Sequence, residues 1–239
     1  MTSVRSILAA ALAGAALLPT AAAAAIVVAS SGPSASGFPV GKKLPDAGRI
    51  TLKPGDSVTV LDARGTKVMK GPGNFAVSQP GRPLPNPAFA VFTRKDASRA
   101  RAGAVRTGED GKPASPNLWL VDVARSGIQC VIDPAQLLMW RADARKAARY
   151  RIVVPGGRFG MVSFAAGSTI APWDQDNAPV TDGASYTLAQ EKGSAVGAVT
   201  FALLADPPAE PEKLALALID KGCTAQLALL SDTLAISRF

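Results

Sequence analysis

The sequence predicts a mainly β protein, built from a small antiparallel β meander, a connecting helix, a β-sandwich-like domain and a C-terminal helical hairpin. Three observations carry that prediction. Short apolar runs recur at close spacing through most of the 239 residues, punctuated by turn formers, with 22 Gly and 19 Pro in all. Outside the ambiguous residues 134–149, runs of helical composition are confined to the stretch after Asn86-Pro87 and to residues 206–239. A chain that is 48% hydrophobic and 18% charged has the material for a core, which excludes a wholly disordered chain.

Residues 1–25 read as a secretory signal peptide. Arg5 precedes the apolar run Ile7 to Leu18, Pro19 breaks that run, and Ala21 to Ala25 offer small residues of the A-x-A kind. Cleavage is expected after Ala25, with Ala23 as the next choice. The alternative is an uncleaved membrane anchor, because Ile26, Val27 and Val28 prolong the apolar stretch. The favoured reading places the protein in the periplasm or outside the cell, with no transmembrane segment once the leader is removed.

Residues 26–85 carry a turn-rich lead-in and then the meander. Between Ile50 and Asp62, Pro54-Gly55-Asp56 turns the chain between two extended runs. Ala63-Arg64-Gly65-Thr66 is a second turn, Lys67 to Lys70 a short strand, and Gly71-Pro72-Gly73 leads into Phe75 to Val77. The stretch from Arg49 to Val77, with its Pro-Gly-Asp turn, its Val58-Thr59-Val60-Leu61-Asp62 strand and its Gly-rich return, resembles the periplasmic FecR-like β module. That family's anti-sigma part and internal transmembrane helix have no counterpart in the sequence, so the resemblance implies an exported β module and no signalling role. The whole chain also resembles members of an exported Gram-negative family to which no activity is assigned.

Residues 86–116 form a helix and linker. Pro80, Pro83, Pro85 and Pro87 mark the linker, and Asn86-Pro87 caps a helix expected over Ala88 to Arg101, with Phe89, Phe92 and Ala97 on one apolar stripe. Residues 117–205 supply the short strands of the sandwich-like domain. Within it, residues 134–149 have helical local propensity but sit among strands. A strand near Leu137 to Arg141, followed by a short helical turn, is favoured. In residues 206–239, Lys213 to Lys221 is an Ala/Leu helix ended by Gly222, and a second apolar helix runs from Thr224 to about Ile236.

Chemistry is constrained mostly by exclusion. The chain has no His, which removes imidazole bases, Ser–His and Cys–His pairs, and His-ligated zinc. Ser-x-x-Lys, Gly-x-Ser-x-Gly, Walker A and dinucleotide-binding signatures are absent, and Gly156-Gly157 reads as a hairpin turn. Asp174-Gln175-Asp176-Asn177 begins like a calcium loop, but Ala178 and Pro179 take the next ligand position and the Gly position. A loose calcium site with Asp182 is the remaining option there. Trp119, Trp140 and Trp173 suit either a carbohydrate platform or a buried core, and the core is favoured. No cofactor and no catalytic residue is assigned.

Two cysteines in an exported chain favour a Cys130–Cys223 disulfide over two buried thiols. The formal net charge of +8 is concentrated in two clusters. The first is Arg94, Lys95, Arg99, Arg101 and Arg106; the second is Arg141, Arg145, Lys146, Arg149 and Arg151, and each is net +4 against one Asp. The first is the candidate anion-binding face, toward an anionic glycan or lipid, with a solvated basic surface as the alternative. Aromatic interleaving and nucleic-acid signatures are missing, so no nucleic-acid partner is expected. The expected function is a non-catalytic binding module for an envelope protein or an anionic glycan or lipid. The alternative is an envelope-polymer hydrolase using Asp and Glu residues.

Overall fold

The first part of the chain is organised by its turns. In the computed structural model, which describes residues 24–78, 87–95, 106–107 and 113–236, Gly55 takes φ +85° between two strands. The Asp56 carboxylate beside it accepts the Ser34 and Lys53 backbone N–H groups at 2.8 and 2.6 Å. Those hydrogen bonds, the one from Ser34 foremost, hold the Asp56 carboxyl below its ordinary range against the opposing effect of burial. The elements so punctuated are β1 (Ala24–Ser31), β2 (Lys43–Pro45), β3 (Arg49–Leu52), β4 (Ser57–Asp62), β5 (Gly65–Lys70) and β6 (Gly73–Ala76). They pair antiparallel as one sheet of order β2-β1-β4-β5 and a β3-β6 ribbon.

The stretch Ala25 to Val28, which spans the expected cleavage position and which the anchor alternative would join to the leader, is the buried centre of that sheet. It is apolar on both sides because both faces are covered. Ala25 and Val27 belong to the core of the N-terminal sheets, while Val28 packs toward the helices.

Helix α1 (Pro87–Phe92) is shorter than the helix expected over Ala88 to Arg101. Tertiary hydrogen bonds end it. The Phe92, Thr93 and Arg94 carbonyls are taken by Leu118 N–H, Trp119 Nε1 and Asn117 Nδ2 at 3.1, 2.9 and 3.1 Å. A following turn of helix would have to supply those acceptors with its own amides. Ala97, Arg99 and Arg101, the Pro80–Pro85 linker and residues 1–23 lie outside the described residues. A short ribbon, β7 (Arg106–Thr107) with β8 (Pro113–Ala114), leads into the second part.

That second part is two facing sheets. Strands β9 (Val121–Asp122), β11 (Leu138–Trp140) and β14 (Ile170–Pro172) make a three-stranded sheet of order β14-β11-β9. Strands β10 (Gly127–Val131), β12 (Ala148–Val153), β13 (Phe159–Phe164), β15 (Ser185–Gln190) and β16 (Ala195–Leu203) make a five-stranded sheet of order β10-β16-β15-β12-β13. Val121, Met139 and Ala171 of the first meet Ile152, Val162, Leu188, Val199 and Phe201 of the second in one core. The ambiguous segment is strand β11, preceded by a 3-10 turn at Pro134–Gln136 that Asp133 caps; the helical turn expected after it does not form.

The chain ends in α2 (Pro211–Asp220) and α3 (Thr224–Ile236). Pro211 opens α2 at its first position, and Gly222 at φ +74° closes it, with Gly222 N–H on Ile219 O and Cys223 N–H on Leu218 O. The helices pack between the two β regions. Leu214, Leu218, Leu227 and Leu230 share one core with Val28 and Leu61 on one side and Leu118, Trp119 and Cys130 on the other. No described helix is long and apolar enough to cross a membrane.

Candidate functional site

Strands β9 and β10 are joined by a tight turn, with Arg125 N–H on Asp122 O at 3.2 Å, yet they belong to different sheets. Their divergence opens a cleft of about 240 Å³, walled by both strands and by Leu118 and floored by one face of α3 (Ala225, Gln226, Ala228, Leu229, Asp232). Ala225 and Ala228 leave room where larger side chains would fill it. Gln226 is buried and bridges the parts: its Oε1 accepts Cys130 N–H at 2.6 Å, and its Nε2 donates to Cys130 O and Leu118 O at 3.0 and 2.9 Å. The Cys130–Cys223 disulfide, with Cα atoms 5.8 Å apart, ties the same strand to the turn before α3. The β10 wall carries Ile128, 39% exposed, and Gln129, whose Nε2 is buried without a hydrogen-bond partner among the described residues.

Two carboxylates line this cleft. Asp122 is committed to Ala124 N–H at 2.9 Å and Arg125 Nε at 3.2 Å, so it works as a turn-former and ion-pair partner. Asp232 sits one helical turn beyond Ala228 and makes interactions of its own. Glu212, which burial holds above its ordinary range with Asp62, Glu210 and Asp46 adding like charge, lies on α2 outside the cleft. Among the described residues no group of three metal-ligating side chains forms.

The structure sorts the other candidates. Arg94 and Lys95 are exposed just past α1, while Phe92 is buried and Phe89 packs beside it, as the apolar stripe predicts. Arg106 lies in β7, and Arg99 and Arg101 fall outside the described residues, so the first basic cluster is placed only in part. Four of the five residues of the second cluster meet a neighbour in the fold, while Lys146 is exposed. Arg141 is buried, donates to Ser168 O and Ala165 O, and stacks on Phe164 at 4.9 Å. Arg145 pairs with Asp143, Arg149 with Glu191, and Arg151 lies over Phe159.

The loose calcium site is overturned as well. Burial alone would raise the Asp174 carboxyl, but hydrogen bonds from Met161 N–H and Asn177 outweigh it and hold the group below its ordinary range. Asp182 is occupied with Leu203 N–H. All three Trp are buried, so they offer no aromatic platform; Trp173 sits edge-on to Tyr186 and Phe201. Ile128, Gln129 and Gln226 were not singled out from sequence, although Gln226 is a lone amide in an otherwise apolar stretch of helix. No family model, curated protein or solved structure matches this chain.

Proposed function

We propose that the protein is a non-catalytic binding module of the cell envelope whose ligand site is the cleft between β9, β10 and α3. One observation carries the reading: the recess is concave and mostly apolar, holds a few convergent polar groups, and is built on strands locked by a disulfide and by Gln226. The hydrolase alternative gains little from it, because Asp122 is tied to Ala124 and Arg125 and the second carboxylate of the cleft, Asp232, is engaged in an interaction of its own.

Export belongs to the same proposal and draws support from the disulfide. Of the two cleavage positions, the one after Ala23 leaves Ala24 and Ala25 in their ladder with Pro45 and Leu44. The mature chain is therefore expected to start at Ala24, which intact mass of the exported protein reads directly. The FecR-like reading of residues 49–77 is part of the proposal and is supported by the role of Asp56 in building the Pro-Gly-Asp turn.

A photoreactive side chain at Ala228 tests the site in a native envelope fraction. It is expected to give an adduct of defined mass that the same group at exposed Lys192 does not give. Equal adducts from both positions, or none from Ala228, reject the cleft as the binding site. A second surface has its own support in the exposed Arg94 and Lys95 beside an inward-packed Phe92. Reversing Arg94, Arg99 and Arg101 should remove salt-sensitive retention on an anionic matrix without a change in melting temperature. Retention that survives assigns the cluster to solvation alone.

A further inference from the structure

We propose that the open half of the β10 edge takes an extended, uncharged peptide segment of another protein as an added strand. This rests on the binding reading of the cleft and names the chemistry of its ligand. Strand alternation fixes where each amide on β10 points. Val131 O accepts Leu204 N–H at 2.8 Å, so Val131, Gln129 and Gly127 face β16. Cys130 faces the opposite way, and Gln226 answers it. Ile128, two residues earlier, therefore turns its N–H and C=O to that same open side, where it lines the cleft. Neither group has a hydrogen-bond partner among the described residues. An unpaired donor and acceptor on a strand edge form a template for another strand.

Gln226 shows the chemistry that fits. Its carboxamide does for Cys130 what a peptide group does in a ladder, accepting the N–H and donating to the C=O. At Ile128 no described residue supplies such a group, and a peptide unit from a ligand would continue the ladder that Gln226 begins. A second observation is independent of the edge: Gln129 is a lining residue of the same recess, and its buried Nε2 has no acceptor among the described residues. Buried amide groups are ordinarily paired, and a ligand carbonyl would pair this one.

Size and charge select the occupant. A folded partner presents about 800 Å² on each side of a stable interface, whereas a recess of about 240 Å³ admits a ligand one chain wide. The same limit argues against a second copy of this chain seated on the cleft. Asp122 and Arg125 neutralise each other at 3.2 Å, Asp232 is already engaged in an interaction of its own, and Leu118, Val121, Ala228 and Leu229 supply an apolar lining. The lining suits small apolar side chains at alternate positions of an uncharged segment.

The test selects short random linear peptides on the full-length, disulfide-intact protein and studies the best binder. Selected sequences are expected to carry small apolar residues at alternate positions and to lose binding to Ala228→Trp. Protection of the Ile128 amide from hydrogen exchange is expected to rise at least tenfold on binding. N-methylation of one alternate set of peptide amides should weaken affinity tenfold or more, and of the other set less than twofold. Ile128→Pro, which removes the edge donor and leaves the ladder to β16 intact, should also cost about tenfold with little change in melting temperature.

Failure to select any peptide overturns the proposal. A peptide that is lost with Ala228→Trp, but leaves Ile128 unprotected and is indifferent to either N-methyl series, overturns strand addition while leaving the cleft as a binding site. Peptides that bind Ala228→Trp as well as the native protein overturn the cleft reading itself.

Discussion

The two edges of the five-stranded sheet are closed by different chemistry. On β13, Met161 N–H is taken by the Asp174 carboxylate at 2.8 Å, and the Arg151 guanidinium lies over the exposed Phe159 ring at 5.8 Å. On β10, closure is neutral and partial. The Gln226 carboxamide meets both backbone groups of Cys130, a disulfide holds the strand in place, and Ile128 is left open. An exposed edge invites unwanted pairing, and proteins usually blunt it. Here one edge is blunted by a charge, while the other is stopped one residue pair short. The difference locates the place where pairing with another chain is allowed.

Loss of the disulfide should disturb this contrast most. Cys130→Ser with Cys223→Ser releases a loop with a sequence separation of 93, worth about 4.6 kcal/mol in the chain-entropy model. Urea unfolding should show that loss, with amide exchange accelerated on β10 ahead of β13. Equal acceleration on both edges would mean that the disulfide stabilises the fold without selectively holding β10.

Gln226→Leu comes next. It leaves Cys130 N–H, Cys130 O and Leu118 O without their partner, at an expected cost of about 3 kcal/mol for buried unmade hydrogen bonds. The Cys130 amide should then exchange as fast as that of Ile128. If it stays protected, the carboxamide is not what closes the edge.

Acid should act on the edges unequally. The folded pKa of Asp174 is depressed, so its contribution is complete above the unfolded value of about 3.9. It is lost as pH falls from there through the lowered folded value. Gln226 does not titrate. Protection of the Met161 amide should therefore fall in acid while that of Cys130 holds. Asp174→Asn should remove that pH step and cost about 1 kcal/mol at neutral pH. Parallel loss on both edges would show that acid acts through global unfolding.

The smallest effect belongs to the open position. Ile128→Lys changes a side chain that is 39% exposed, and stability should shift by less than about 0.5 kcal/mol. A larger loss would assign Ile128 to packing against the turn at Gly222, whose added Cβ would lie 3.0 Å from Ile128 Cδ1.

Much of this fold was legible where the signal is local. Pro54-Gly55-Asp56, Gly156-Gly157, Pro211 and Gly222 each fix a backbone turn or helix end through their own dihedrals, and the elements they bound sit close to the positions read from sequence. The cleft was not legible. Its strands are close in sequence but enter different sheets, and its amide groups became special only when α3 was laid beside β10.

By itself, then, the sequence determined the mainly β class, the turn positions, the two C-terminal helices and, with only two cysteines, the pairing of Cys130 with Cys223. These follow from short-range sterics and from composition. The tertiary structure alone decided that Ala25 to Val28 form a central strand and that α1 stops at Phe92 against residues 117–119. It also decided that Arg141, Arg145, Arg149 and Arg151 of the second basic cluster engage in ion pairs and stacks, and that Gln226 completes one half of an edge while Ile128 waits on the other. Each depends on a hydrogen bond or contact between residues far apart in the chain, and no local propensity encodes which distant group will arrive to make it.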